Sequence, residues 1–159
     1  MGHQFTAEIR GLTQKLSQRI GQLYSPICRA RLGDSRCGVD LEALTVTGSI
    51  TGVTSRSVFA DSSRSEADGT FTYGNITFTS GLNDGLSAEI KDHRDGGFTL
   101  VLPLPYDVAV SDTYSLTPGC DKTLSTCIAR FSNAVNFRGE PHVPGTDKML
   151  ETAGTRSEW

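Results

Sequence analysis

Four cysteines in two pairs constrain this chain more than any other feature. Cys28 and Cys37 enclose eight residues in Cys-Arg-Ala-Arg-Leu-Gly-Asp-Ser-Arg-Cys, Cys120 and Cys127 enclose six in Cys-Asp-Lys-Thr-Leu-Ser-Thr-Cys, and the sequence has no others. About eighty residues separate the two pairs. A site using all four would close most of the chain into one loop, which stabilises the fold by restricting the unfolded chain. The expectation is that the four thiolates meet at one metal centre. Four sulfur donors suit structural zinc or an iron–sulfur cluster. Neither pair has the close Cys-x-x-Cys spacing of zinc knuckles, which tilts the choice towards iron–sulfur, with zinc as the alternative. Spacing alone leaves metal, and no metal with two disulfides, both open. The N-terminus lacks a charged-then-apolar leader, so reduced thiols are expected over disulfides.

At 159 residues the chain suits one domain, expected over residues 5–145. Residues 1–4 read as a cloning remnant and residues 146–159 as a flexible polar tail. The strand-like start at Phe5 suggests a C-terminal domain cut from a longer protein. With 17 glycines and 36% hydrophobic residues, turns should be frequent and the core modest. Fifteen basic against 18 acidic residues give a net charge of −3, without the electrostatic footprint of a nucleic-acid binder. No stretch is apolar enough to cross a membrane as a helix.

Phe5, Ala7 and Ile9 alternate as in a strand, and Leu12, Leu16, Ile20 and Leu23 recur at helical spacing, predicting a short helix near 13–21 that ends at Gly21 and Pro26. Residues 28–38 have no period and read as a cysteine loop. From Glu8 to Cys37 six basic residues (Arg10, Lys15, Arg19, Arg29, Arg31 and Arg36) stand against two acidic ones (Glu8 and Asp34); they would either favour thiolates or form a solvated surface. Alternation then predicts strands over 44–53, 71–79 with a break at Gly74-Asn75, 86–90, 98–104 and 112–116. Asp95-Gly96-Gly97 reads as a hairpin turn. Pro103 and Pro105 place one strand end at a sheet edge. Residues 121–131 lack Gly and Pro and follow a capping Asp121, predicting a second short helix with Cys120 before it and Cys127 on it. Seven residues of helix span about 10 Å, a gap that a cluster bridges more easily than a single small ion. Residues 131–145 read as an extended segment laid over the domain. The fold class expected is α+β and mainly β: a small antiparallel barrel or sandwich with two short helices, stapled by a four-cysteine metal site.

Other chemistry is thin. His93 and His142 read as surface or packing residues, and Asp84, Asp92 and Asp95 as turn formers. There is no phosphate loop, nucleophile elbow or calcium-loop pattern, so no enzyme is expected.

The Cys28–Asp40 segment, the Pro-Gly-Cys-Asp-Lys run with Cys127 behind it, and Arg130-Phe-Ser-Asn-Ala-Val-Asn-Phe-Arg-Gly-Glu-Pro-His-Val-Pro-Gly145 resemble one family of phage-derived tail proteins. This is the C-terminal domain of the iron-binding hub proteins of gene transfer agents and related prophages. The cysteine arrangement is also similar to that of the tail-tip protein L of lambda-like siphophages. Glu140 departs from the family pattern, where that position is more often hydrophobic. The resemblance implies a structural baseplate or tail-tip hub component, located in the tail of a virion or phage-like particle after assembly in the bacterial cytoplasm. It implies other tail-tip proteins as partners, a homotrimer in the tail, and a [4Fe–4S] cluster ligated by Cys28, Cys37, Cys120 and Cys127. A redox or sensing iron–sulfur domain and a zinc- or disulfide-stapled binding domain are the rival readings.

Overall fold

The computed structural model describes Gly21 and residues 24–143. The expected strand at Phe5–Ile9, the helix near 13–21 and the polar tail at 146–159 lie outside the described residues, Gly21 excepted.

Among the described residues seven short antiparallel strands follow in chain order: β1 (Val46–Ser49), β2 (Gly52–Val53), β3 (Val58–Ala60), β4 (Asn75–Phe78), β5 (Ser87–Arg94), β6 (Gly97–Leu100) and β7 (Thr113–Thr117). One helix, α1 (Leu124–Phe131), and a single 3-10 turn at Ala134–Asn136 come after them. The strand order β1-β7-β4-β5-β6-β3-β2 leaves β1 and β2 at the two edges. Those edges are two ends of one segment, broken only at Ile50-Thr51. The sheet therefore curls into a half-barrel whose outermost strands stay joined by the chain. Where alternation predicted one strand over 44–53, the chain bends, with buried Ile50 turned into the core.

Strand β5 belongs to both halves of the sheet, pairing with β4 through Asn75↔Glu89 and with β6 through Ile90↔Leu100. A register shift between Ile90 and Asp92 marks a bulge. The inward phase of Ala88 and Ile90 would have continued at Asp92; the extra residue hands it to His93, which is fully buried. Asp95 and Gly96 both have positive φ, 47° and 68°, so the β5–β6 connection is the tight two-residue turn that matches strand twist.

The core is one cluster of Ile50, Phe59, Phe71, Ile76, Phe78, Ile90, Phe98, Leu100, Leu104, Val108, Tyr114 and Leu116. Phe59, Phe78, Phe98 and Tyr114 meet edge-on or tilted, with ring centroids about 6 Å apart. Two strands are shorter than alternation predicted. Strand β4 begins only at Asn75, because Tyr73 takes a left-handed φ of 64° and Gly74 sits against the Thr117 carbonyl. Strand β6 stops at Leu100, and residues 101–112 cross as a loop pinned by the buried Asn83 amide, which donates to the Tyr106 and Asp107 carbonyls. Pro103 and Pro105 lie in that loop, outside the sheet. Strand β3 was not foreseen; three residues are too few to show alternation.

Candidate functional site: a four-cysteine cavity

Two segments outside the barrel form a cap over one of its ends. The first, residues 24–45, has no regular secondary structure and is organised by Asp34. Its carboxylate accepts from the Arg31, Arg36 and Cys37 amides, and its carbonyl accepts from Cys37 and Gly38. The Arg31 and Cys37 amides chiefly hold the Asp34 carboxyl below its usual range. Left-handed glycines at 33 and 38 complete the turn and deliver Cys37 buried, with Cys28 half-buried.

The second segment follows β7. Gly119 lies so close to the Thr72 carbonyl that no side chain fits there, which fixes where Cys120 leaves the barrel. Helix α1 starts three residues later than the sequence suggested. Its cap is Thr123, whose hydroxyl accepts from the Thr126 amide at 3.3 Å. Asp121 instead braces that cap, accepting from the Thr123 amide and the Thr126 hydroxyl. Cys127 therefore comes one turn into the helix, buried, and Cys120 lies four residues before it. The helix ends at Ser132, φ 48°, in a left-handed cap.

All four cysteines line one small cavity between these segments. Ala30, Leu32, Val39, Phe131 and Phe137 make its apolar wall, with Lys122, Asn133 and Asn136 as its polar part. Direct bonds join its two sides. The Cys28 amide donates to the Lys122 carbonyl at 2.8 Å, and Lys122 Nζ reaches back to the Ala30 carbonyl at 2.5 Å. Asn133 Nδ2 donates to the Cys37 carbonyl at 2.6 Å and lies 3.6 Å from its sulfur, while the Cys127 thiol donates to the Asn133 carbonyl at 3.3 Å. The Arg138 amide points at Cys28 Sγ at 3.4 Å. Burial, then the neighbouring sulfurs of Cys120, Cys28 and Cys37, push the Cys127 thiol pKa up.

The four are free thiols. Among the described residues no group of three or more His, Cys, Asp or Glu is placed to hold a single metal ion. Free space in the cavity is about 20 Å³, room for little more than a water molecule. Any larger occupant would require the thiols to stand further apart. The donor set suits an iron–sulfur group: four thiols, a largely apolar wall, and N–H groups directed at two of the sulfurs.

The six basic residues, read either as favouring thiolates or as a solvated surface, divide. Arg29 lies next to Cys28 and pairs with Glu140; Arg31 and Arg36 are exposed, Arg36 against Asp34; Arg10, Lys15 and Arg19 lie outside the described residues. The cation on the cavity wall is Lys122, which sequence reading passed over. Asn133 and Glu140 were missed for the same reason: each acts through a contact about a hundred residues away in the chain. His142 is exposed, and His93 lies in the barrel core, apart from the cysteines. Asp84 and Asp95 are exposed turn residues. No helix among the described residues is long and apolar enough to cross a membrane.

A family model described as phage conserved hypothetical protein BR0599 matches residues 69–147, and one described as baseplate hub protein, N-terminal attachment domain, matches residues 1–40. Each cysteine pair thus falls within a different match. No curated protein matches the chain. A solved structure described as the virion of a native gene transfer agent particle matches at 33% identity and a TM-score of 0.73, over 94% of this chain. This chain spans about half of that one, 54%. Over nearly all of its length, then, the chain is similar to a protein of a gene transfer agent virion, and in two separate stretches to phage families.

Proposed function

We propose that this chain is a structural component of the baseplate or tail-tip hub of a phage-like tail, in which Cys28, Cys37, Cys120 and Cys127 ligate a [4Fe–4S] cluster. The observation that carries the reading is the convergence of thiols from both ends of the chain on one cavity. The match to a gene transfer agent virion and to a hub attachment domain supports a place in a virion-type particle, with neighbouring tail proteins as partners. A homotrimer, and kinship with the tail-tip protein L of lambda-like siphophages, belong to the same proposal.

A bound cluster would supply iron–thiolate bonds that cross-link the loop after residue 24 to helix α1. The chain's own residues do the remainder: Asp34 and Thr123 shape the two ligand segments, Asn133 bridges Cys37 to Cys127, and the apolar wall limits water. Nothing in this arrangement calls for catalysis, and the role is mechanical.

Anaerobic purification followed by metal analysis tests the reading. Brown protein carrying iron and acid-labile sulfide in equal amounts is expected, and a trimer by native mass spectrometry. Colourless protein with stoichiometric zinc would replace the cluster by the zinc alternative. Protein with neither metal and four rapidly alkylated thiols would end the metal-centre reading.

A further inference from the structure

The segment at 138–140 does more than pass over the cap. Arg29 grips the Glu140 carboxylate with both terminal guanidinium nitrogens, Nη1 to Oε2 at 2.6 Å and Nη2 to Oε1 at 2.7 Å. Glu140 Oε2 also accepts from the Ser25 amide at 3.1 Å, and the Glu140 amide donates to the Ser25 carbonyl at 2.8 Å. One step nearer the thiol, the Arg29 amide donates to the Arg138 carbonyl at 3.2 Å. Between these bonds Gly139 lies against the Ile27 carbonyl, where a Cβ would sit 2.7 Å from the oxygen. The product of this two-sided fastening is the Arg138 amide held 3.4 Å from Cys28 Sγ, with Phe137 beside it on the cavity wall.

We propose that residues 138–140 form a strap over the Cys28 thiol, and that the Arg29–Glu140 pair is the clasp that positions it. The strap covers one sulfur of the cavity and gives it an N–H donor. Bidentate arginine–carboxylate geometry suits the task because it fixes orientation as well as distance. The strap stands on contacts in the chain itself, and its effect on metal retention rests on the cluster reading above.

The test has two arms. In the metal-free, reduced chain, alkylation of each cysteine by N-ethylmaleimide is followed by peptide mass spectrometry. Glu140→Gln and Arg29→Gln should each speed modification of Cys28 several-fold while leaving Cys120 near its original rate, and the exchanged pair Arg29→Glu with Glu140→Arg should restore slow modification. Gly139→Ala, which displaces the strap without touching the clasp, should reproduce the fast rate. Unchanged Cys28 rates, or equal acceleration of all four cysteines, would overturn the proposal, the latter because it reports a loosened cap. In the iron-loaded chain the same variants should lose iron to a chelator in air several-fold faster. If the first arm succeeds and no preparation retains iron, the strap stands and the cluster reading fails; if iron is retained equally in all variants, the strap has no part in guarding it.

Discussion

At the scale of single residues, two buried polar groups contribute to how this protein responds to acid. Asp61 is fully buried; burial opposes its charge, but hydrogen bonds from Ser63 and Tyr114 outweigh that and hold its pKa down to about 2. The Tyr114 hydroxyl lies 2.5 Å from it, and burial with that bond pushes the phenol's own pKa up. Arg64 bonds the same carboxylate and also donates to the Thr47 carbonyl, tying the pair to β1. Because the folded pKa lies below the unfolded 3.8, the stabilisation is present above about pH 4 and disappears as pH falls towards 2. Tyr114→Phe should cost about 1–3 kcal/mol in urea unfolding at neutral pH and flatten the loss between those values. His93 behaves with a different sign of charge. Wedged 4.9 Å from Phe71 and 5.1 Å from Phe98, with neither ring nitrogen partnered among the described residues, its pKa is lowered by burial against the opposing pull of Glu66, Asp68 and Asp92. The unfolded chain therefore takes up the proton first, and stability falls as pH drops below about 6.5. His93→Phe should gain about 1–3 kcal/mol at neutral pH and remove that slope, measured by thermal unfolding across the pH range.

At the scale of elements, the short pieces are held by their ends. Helix α1 has eight residues, marginal alone, so its cap matters. Thr123→Ala should cost about 1 kcal/mol and loosen Cys127, visible as faster amide exchange in Leu124–Phe131. The bulge in β5 explains why alternation does not carry the inward phase to His93, which is a packing residue, one of the two roles its sequence context suggests. Alternation counts by two, and one inserted residue reverses which side faces inward. The same limit applies at Ile50-Thr51, where a smooth alternating run conceals the bend that carries the chain from one sheet edge to the other. By contrast Asp95-Gly96 was legible at once, since few residue pairs accept two left-handed positions.

At the scale of the whole molecule, barrel and cap are held by different forces. Among the described residues the buried apolar cluster draws on Ile50 to Leu116, with Val46 packed against it, so the barrel has a core independent of the cysteines. The cap buries little beyond Ala30, Cys37 and Cys127, and touches the barrel through bonds such as Arg130 and Gly119 to the Thr70 carbonyl. On the proposed cluster, Cys120→Ser or Cys127→Ser should abolish iron binding and destabilise the cap most. Hydrogen exchange should then rise across residues 24–45 and 118–140 while β4 to β7 stay protected. An unchanged exchange pattern and melting temperature in both variants would remove the staple from the account. The amino-acid sequence by itself determined the mainly antiparallel fold, the hairpin, the helix near Cys127 and the candidate ligands, because periodicity, turn chemistry and cysteine spacing are local properties of the chain. Only the tertiary structure decided that the four thiols share one cavity, that Lys122 and Asn133 complete its wall, and that Arg29 clasps Glu140. Each of those joins residues some ninety or more positions apart, and no local pattern records which distant groups a curled sheet will bring together.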